Sequence, residues 1–245
     1  MTSADLWVLV PSRGRPANVE RLVRACDLTC TAQTRLHFAF DDDDPQLPAN
    51  IKATAGCRYT IGPRDGLAGW TNDLAARHVK RGDAGAFASI GDDMKPVTGG
   101  WDEELLAALP PGGGMSWPDV QRGPEHGRDP TVPEAIVISA PIAAALGGMV
   151  PREKPGGKPL MHHWYIDNAW RDLGRAADCI VHCPDVVVRH LHPNVPGGDK
   201  PDRTYHDAAE RFDSDANAYR RWRLRGLRED AAAVRRVREA ALASV

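Results

Sequence analysis

The sequence has 245 residues, of which 42% are hydrophobic and 26% charged, and its formal net charge is -2. This composition is typical of a globular protein with one large domain or two small ones. The small net charge provides no global attraction to nucleic acid or membranes, and no apolar run approaches the roughly 18 residues that cross a bilayer. The first residues lack the pattern of a signal peptide. Five cysteines, an odd number, favour reduced thiols and a cytoplasmic location over a disulfide framework.

The first half of the sequence alternates apolar runs with segments of helical spacing. Strands are predicted at residues 6–10, 36–40, 57–61 and 84–90, and helices at residues 18–26, 66–79 and 102–109. Strands that alternate with helices predict a layered α/β fold around a parallel sheet. In such sheets, ligands bind beyond the carboxyl ends of the strands.

Three polar clusters follow predicted strands, at residues 12–13, 41–44 and 92–93. Because each lies at a carboxyl end, we expect the three clusters to converge on one cleft. The adjacent carboxylates of Asp92 and Asp93 suit Mg²⁺ or Mn²⁺, which prefer oxygen ligands and usually arrive with phosphates. Since aspartate also favours turns, an aspartate-rich turn after the strand is the alternative interpretation.

The second half of the sequence is richer in loops. Its predicted strands are 115–117, 135–139 and 179–190, the last broken at Pro184, and its predicted helices are 141–146 and 164–173. The loop 149–159 carries Lys154 and Lys158, which could close over a diphosphate or touch a polyanionic acceptor; a plain surface loop is the alternative. We predict one domain over residues 1–200, followed by a basic helical extension over residues 201–245.

This extension has eight arginines against three acids from residue 219 onward. Such a segment could bind the phosphates of nucleic acid or anionic lipid. The alternative is a solvated helix that packs Trp222, Leu224 and Leu227 on the domain.

Cys179, His182 and Cys183 suggest part of a zinc site that His190 or His192 would complete, as in a zinc-binding nucleic-acid module. Their spacing is not that of a common zinc finger, and strand alternation puts His182 on the opposite face from both cysteines. The zinc site is therefore kept only as an alternative.

The motifs together resemble a family. The resemblance is to GT-A glycosyltransferases of the family 2 type, covers roughly residues 6–192, and is carried by residues 6–13, Asp41, Arg64, Asn72, 91–93 and 165–168. Residues 91–101 also resemble small phage or actinobacterial members. The resemblance implies an α/β fold of the Rossmann-like nucleotide-diphospho-sugar transferase type, with a mixed sheet flanked by helices. It implies transfer of a hexose from a nucleotide-sugar, a UDP-sugar in our interpretation, to an acceptor hydroxyl.

The family's site residues carry over by position. The resemblance implies that Pro11, Ser12 and Arg13 line the nucleotide pocket. It also implies that Asp41 binds the base, that Arg64 lies near the base or phosphates, and that Asp92 lies near the ribose. Asp93 would hold Mn²⁺ or Mg²⁺, which offsets the charge that develops on the departing diphosphate. Gly91 is a departure, because many relatives have an acid there. His190 and His192 are the candidates for the missing metal ligand, since a late histidine fills this place in several relatives.

Asp167 is the candidate general base, because inverting relatives use an acid at this position to deprotonate the acceptor hydroxyl. Such a base supplies roughly 10²–10⁴-fold in rate when it reaches the proton. The alternative interpretation is a helix N-cap, a role that aspartate performs well. An inverting outcome depends on the catalytic interpretation.

The acceptor is open between two candidates. One is a hydroxymethylated pyrimidine in phage DNA, in which case the enzyme would act in the host cytoplasm; the other is a small-molecule or cell-envelope glycan. From other classes, a sugar-nucleotide nucleotidyltransferase would need a glycine-rich loop with a following basic residue and Pro-Lys, which residues 12–16 do not supply. A non-catalytic nucleotide-sugar-binding protein would keep the fold without needing Asp93 and Asp167. No partner protein or oligomeric state is indicated.

Overall fold

The computed structural model describes residues 4–121, 129–153 and 156–244, so Lys154 of the predicted closing loop lies outside the described residues. The first half contains β1 (Ala4–Ser12), α1 (Pro16–Thr29), β2 (Thr34–Asp41), α2 (Leu47–Ala53), β3 (Arg58–Gly62), α3 (Gly66–Arg81), β4 (Ala84–Ser89), β5 (Met94–Pro96) and α4 (Trp101–Ala107). Every strand and helix predicted in this half is present, and α2 and β5 are additional.

The second half contains β6 (Met115–Asp119), β7 (Ile136–Ser139), α5 (Ala140–Leu146), α6 (Ile166–Ala176), β8 (Ile180–His190), α7 (Arg203–Ala209), α8 (Phe212–Arg225) and α9 (Leu227–Leu242). The strand β8 is continuous through Pro184, where a break was expected. An irregularity in its pairing with β6 after Pro118 accommodates the proline, which has no N–H to donate.

The eight strands form one sheet in the order β3-β2-β1-β4-β7-β6-β8-β5. Strands β3, β2, β1 and β4 are parallel, as the alternation of strands and helices predicts. Beyond β4 that prediction is wrong, because β7 is antiparallel to both of its neighbours and β5 is antiparallel to β8. The sheet is therefore mixed.

Each face of the sheet carries its own apolar core, because side chains alternate along a strand. Trp7 and Leu9 of β1 face one core, which helices α3, α5 and α6 cover. Leu6, Val8 and Val10 of the same strand face the other core, with helices α1 and α4. The strands thereby lie between two layers of helices, and the parallel strands β1 to β4 present their carboxyl ends at one edge.

The C-terminal helices α8 and α9 pack on the first of these cores. Trp222 is buried and Leu227 is partly buried there, as expected for a packed extension. The expectation for Leu224 is wrong, since 84% of it is exposed. Leu224 follows Trp222 by two residues, which turns it roughly 200° around the helix, away from the core. Among the described helices, none is both long and apolar enough to cross a membrane.

Candidate active site

The carboxyl ends of β1 and β4 lie side by side at one edge of the sheet, where Ser12 and Asp92 are in direct contact. The Ser12 hydroxyl donates a hydrogen bond of 2.5 Å to Oδ2 of Asp92. The two strands are parallel neighbours, so their following loops face the same cleft. Asp92 is 4% exposed and Asp93 is 8% exposed, so this corner of the cleft is covered in the structure.

Arg15 is the cation of this corner, and sequence reasoning missed it. One of its terminal nitrogens, Nη1, lies 3.0 Å from Oδ1 of Asp92 and 3.9 Å from Oδ2 of Asp93. Its other two nitrogens, Nε and Nη2, bind the two oxygens of Asp202 at 2.6 and 2.9 Å. Burial raises the pKa of Asp92 to about 6, although the charge of Arg15 acts in the opposite direction. The available signal was a second arginine in the loop that already supplies Arg13.

One oxygen of Asp93 is contacted from two sides. The Tyr205 hydroxyl donates to Oδ2 at 2.6 Å, and Nε2 of His190 lies 3.5 Å from the same atom. Burial alone would raise the pKa of Asp93, but the hydrogen bonds from His190 and Tyr205 and the charge of Arg15 hold the pKa below its usual range. Asp93 is therefore ionised at neutral pH.

His190 lies between Asp93 and Glu134, whose Oε2 is 2.5 Å from Nδ1 of the imidazole. Burial would lower the pKa of His190, but the hydrogen bonds and charges of Asp93 and Glu134 outweigh this effect and raise the pKa to about 9. Glu134 holds the ring so that Nε2 faces Asp93. The ring of His192 lies 5.3 Å from that of His190 and 5.6 Å from that of Tyr205, edge to face in both cases.

A second polar cluster surrounds Asp41 at the end of β2. Oδ2 of Asp41 lies 3.1 Å from Arg13 and 3.9 Å from Nε of Arg64, and Oδ1 accepts a hydrogen bond of 2.8 Å from Trp70. The structure therefore brings together Asp41, Arg13 and Arg64, three of the residues that were expected to line the nucleotide pocket. Pro11 lies next to Ser12 on β1, in register with Ala39 of β2, at the floor of the same edge.

Asn72, one of the residues of the family resemblance, is buried and holds a loop in place. Its Oδ1 accepts hydrogen bonds from the backbone N–H groups of Met149 and Val150, at 2.7 and 2.9 Å. Its Nδ2 donates to the carbonyl of Val150 at 3.0 Å. These bonds fix the start of the loop that follows α5.

Asp167 lies in the first turn of α6 and accepts a hydrogen bond of 2.8 Å from the backbone N–H of Asn168. The N-cap interpretation is wrong in position, because the N-cap is Tyr165, whose backbone is left-handed with φ of 66°. The segment before α6 is fixed by Asp215 of α8, which accepts three backbone hydrogen bonds of 2.9 to 3.0 Å from residues 162–164. This segment includes His163, whose pKa is lowered by burial although Asp93 is near enough to oppose the shift.

The sequence matches no protein-family model and no curated protein. Solved structures do resemble it: a mannosyltransferase, PcManGT from Pyrobaculum calidifontis in complex with GDP-Man and Mn²⁺, has a TM-score of 0.61 at 13% identity over all of this chain and 75% of that one. TarS of S. aureus in complex with UDP-GlcNAc gives 0.53 at 7% identity over 75% of this chain and 57% of that one. Glucosyl-3-phosphoglycerate synthase from Mycobacterium tuberculosis, with Mn²⁺, UDP and phosphoglyceric acid, gives 0.52 at 11% identity over 76% and 70%.

The chain has the GT-A fold. At these identities the likeness concerns the fold alone, and the chain spans about three quarters of the mannosyltransferase and little more than half of TarS. The mixed sheet flanked by helices, expected from the family resemblance, is confirmed.

Within this GT-A fold, Asp93 and His190 have a spacing that two ligands of one divalent ion could adopt. Ligands about 2.1 Å from an octahedral ion lie roughly 3 Å apart, close to the 3.5 Å between Oδ2 of Asp93 and Nε2 of His190. No group of three or more His, Cys, Asp or Glu side chains that could hold a metal occurs in the described part of the chain. Two protein ligands are nevertheless enough for Mg²⁺ or Mn²⁺ when phosphates and water supply the rest.

The remaining metal alternatives find no support at these positions. His192 accepts a hydrogen bond on Nδ1 from the backbone N–H of Asn194, and its place in a metal site stays a prediction. Around Cys179 and Cys183, the described residues form no zinc-type cluster. Burial raises the pKa of the Cys179 thiol to about 11, which opposes the thiolate that zinc requires.

The structure gives a local reason for Gly91. A Cβ atom at this position would lie 2.5 Å from Oδ1 of Asp93, closer than any real contact. A side chain at residue 91 would therefore push the Asp93 carboxylate away from its contacts with Tyr205 and His190. The glycine is therefore part of the present arrangement of Asp93.

Proposed function

We propose that the chain is a glycosyltransferase that moves a hexose from a UDP-sugar to an acceptor hydroxyl, with Mn²⁺ or Mg²⁺ as cofactor. The observation that carries the proposal is the placement of Asp92 and Asp93 at the end of β4, against Ser12 and Arg15 of the β1 loop and beside His190. These residues lie beyond the carboxyl ends of parallel strands, which is where open α/β sheets bind their ligands.

The donor nucleotide would bind along the ends of β1 and β2. In this proposal Asp41 accepts a hydrogen bond from the base, while Arg13 and Arg64 border the same carboxylate. A carboxylate has about four acceptor positions, so its contacts with Trp70 and Arg13 leave capacity for the base. Pro11 and Ser12 line the pocket floor, and Asp92 would receive the ribose.

The diphosphate would lie over Asp93, with His190 and His192 as further candidates for the metal site. A bound divalent ion there supplies Lewis-acid stabilisation of the charge on the departing diphosphate. Arg15 adds a fixed positive charge in the same corner, and its planar guanidinium matches phosphate as well as carboxylate geometry. His190 must give up its proton to bind a metal, and Glu134 can then keep its ring oriented.

Asp167 would act as general base, removing the proton of the acceptor hydroxyl as the hydroxyl oxygen attacks the anomeric carbon. The bond from that carbon to the diphosphate breaks as the new glycosidic bond forms, so a single displacement inverts the anomeric configuration. The position of Asp167 at the start of α6, after the segment that Asp215 fixes, supports this assignment.

Two acceptors are candidates: a hydroxymethylated pyrimidine in phage DNA, and a small-molecule or cell-envelope glycan. The basic extension offers less to DNA than its composition suggests. Arg235 and Arg238 donate to backbone carbonyls of the domain, and Arg223 pairs with Asp172 at 2.8 Å. These three arginines are used in packing the extension, which weighs toward the glycan.

The test is a donor screen that measures release of nucleoside diphosphate with Mn²⁺ or Mg²⁺, offering modified DNA and simple glycans as acceptors. We expect release from a UDP-sugar with one acceptor class, and a fall of roughly 10²–10⁴-fold in kcat for Asp167→Asn. The matched control is Asp178→Asn, an exposed acid just beyond α6, which should retain full activity.

The outcomes separate the alternatives. Nucleotide-sugar binding without turnover, unchanged by Asp167→Asn, would indicate a binding protein. Release of pyrophosphate from a nucleoside triphosphate and a sugar phosphate would indicate a nucleotidyltransferase. Absence of both nucleotide-sugar binding and diphosphate release would refute the proposal.

A further inference from the structure

The segment 199–207 lies on the residues that are proposed to hold the donor diphosphate. We propose that this segment is an acidic plug whose carboxylates occupy the phosphate positions of the cleft, so that the donor must displace the plug in order to bind. The inference rests on the proposed function, because it takes Arg15 and Asp93 as the diphosphate corner.

Three aspartates of the plug are paired with three arginines of the first half of the chain. Asp199 pairs with Arg21, Asp202 with Arg15 and Asp207 with Arg64, each at 2.6 Å. The pairs with Asp199 and Asp202 use two nitrogens of each guanidinium. Guanidinium forks bind carboxylate and phosphate in the same geometry, so a diphosphate competes with Asp202 for Arg15, while the pairs of Arg21 and Arg64 anchor the two ends of the plug.

Tyr205 places the plug on the proposed metal carboxylate itself. Its hydroxyl donates to Oδ2 of Asp93 at 2.6 Å, the same oxygen that faces His190. The guanidinium of Arg15 lies 4.8 Å from the centre of the Tyr205 ring, in cation–π geometry. A metal ion on this oxygen would have to replace the tyrosine hydroxyl.

The burial of the site agrees with this reading of the contacts. Asp92 and Asp93 are 4% and 8% exposed, although each must reach a ligand in the proposed reaction. Tyr205 of the plug contacts Asp93 directly, and Asp202 holds Arg15, whose guanidinium lies against Asp92 and Asp93. The diphosphate and the plug therefore exclude each other, and donor affinity depends on the fraction of molecules in which the plug is displaced.

The plug can be weakened without removing its packing. Asp202→Asn keeps the volume and the N-cap of α7, where Asp202 accepts N–H bonds from Thr204 and Tyr205, because asparagine caps helices as well as aspartate does. Tyr205→Phe keeps the ring beneath Arg15 and removes only the hydroxyl. Glu210→Gln, an exposed acid just past α7, is the matched control.

The experiment compares binding of UDP and of GDP, each with Mn²⁺, to the full chain, to Asp202→Asn/Tyr205→Phe and to Glu210→Gln by calorimetry. We expect the double variant to bind about tenfold more tightly, as follows when the competent fraction rises from about a tenth to nearly one, and the control to match the native chain. Equal affinities in all three would overturn the plug and leave the proposed function intact. No nucleotide binding in any of them would overturn both.

Amide exchange separates a plug from a lid that closes over the donor. We expect the nucleoside diphosphate with Mn²⁺ to speed exchange across 199–209 in the native chain, and the double variant to exchange rapidly there without ligand. Slower exchange of this segment on nucleotide binding would overturn the inference, because a segment that covers the donor is protected by it.

Discussion

His190 and His37 are both largely withdrawn from water, yet they carry different charges at neutral pH. Two carboxylates, Asp93 and Glu134, face His190 and raise its pKa to about 9 against the effect of burial. Burial lowers the pKa of His37 to about 3, and the neighbouring His78 adds to the shift. One histidine lies in the candidate active site, and the other in the core beside α3.

The two histidine clusters differ in how many acids serve each imidazole. Nδ1 of His37 is 2.8 Å from Nε2 of His78, which in turn bonds Asp83 through Nδ1 at 2.7 Å, so one acid serves two rings. Trp7 stacks on His78 at 3.9 Å between ring centres and keeps the cluster dry. Burial alone therefore does not indicate a functional site. At His190 two carboxylates flank one imidazole, so a metal ion could replace the proton that the imidazole carries. The His37 cluster has one carboxylate for two imidazoles and offers no such place.

The largest effect is expected from removing the acid that distinguishes the active-site cluster. Asp93→Asn should lower kcat/KM about 10³-fold, because several kcal/mol of charge stabilisation depend on the metal. Diphosphate release and Mn²⁺ binding by electron paramagnetic resonance measure the effect. The matched variant Asp83→Asn removes the acid of the core cluster; it should lower stability while keeping activity per folded molecule. Equal activity losses in both variants would erase the distinction.

A smaller effect is expected from Glu134→Gln, which keeps His190 in place but weakens its orientation. Partners of metal-binding histidines are typically worth 10–100-fold in metal affinity, and we expect a loss of that size for Mn²⁺. The affinity is measured by calorimetry, with circular dichroism as the check on folding. An unchanged Mn²⁺ affinity would remove His190 from the metal site.

The smallest effect concerns stability and pH at the core cluster. The pKa of His37 is depressed on folding, so below about pH 6.5 the unfolded chain binds a proton that the folded chain excludes, and stability falls as pH falls toward 3. At pH 5 the loss from this group is about 2 kcal/mol relative to pH 8. Urea unfolding of the native chain and of His37→Gln at both values measures it. The comparison fails if the variant shows the same pH dependence as the native chain.

Local patterns predicted the part of the site that lies on strand ends. Ser12, Asp41 and Asp92 follow short apolar runs, and parallel strands with helical crossovers bring such ends to one edge. Arg15, Glu134, Asp202 and Tyr205 were not predicted, because their roles come from pairings such as that of Arg15 with Asp202, 187 residues away in sequence. No local pattern encodes a contact of that range.

The elements that were missed are short or interrupted. Helix α2 has seven residues with a proline in its first turn, and β5 has three residues, too few to show a period. The alternation rule did not apply to β5, because β5 follows β4 with no helix between them. For β5 a long-range partner decides the structure, because pairing with β8 places β5 in the sheet.

Asp215 bears on how far the chain can be shortened. Asp215 is 1% exposed and lies on α8, which begins at residue 212. Its carboxylate accepts hydrogen bonds from the three backbone N–H groups of residues 162–164. A truncation after residue 200, at the boundary that composition suggests, would leave those three amides without their acceptor immediately upstream of Asp167. The extension therefore stabilises the segment 162–164 and is not a detachable tail.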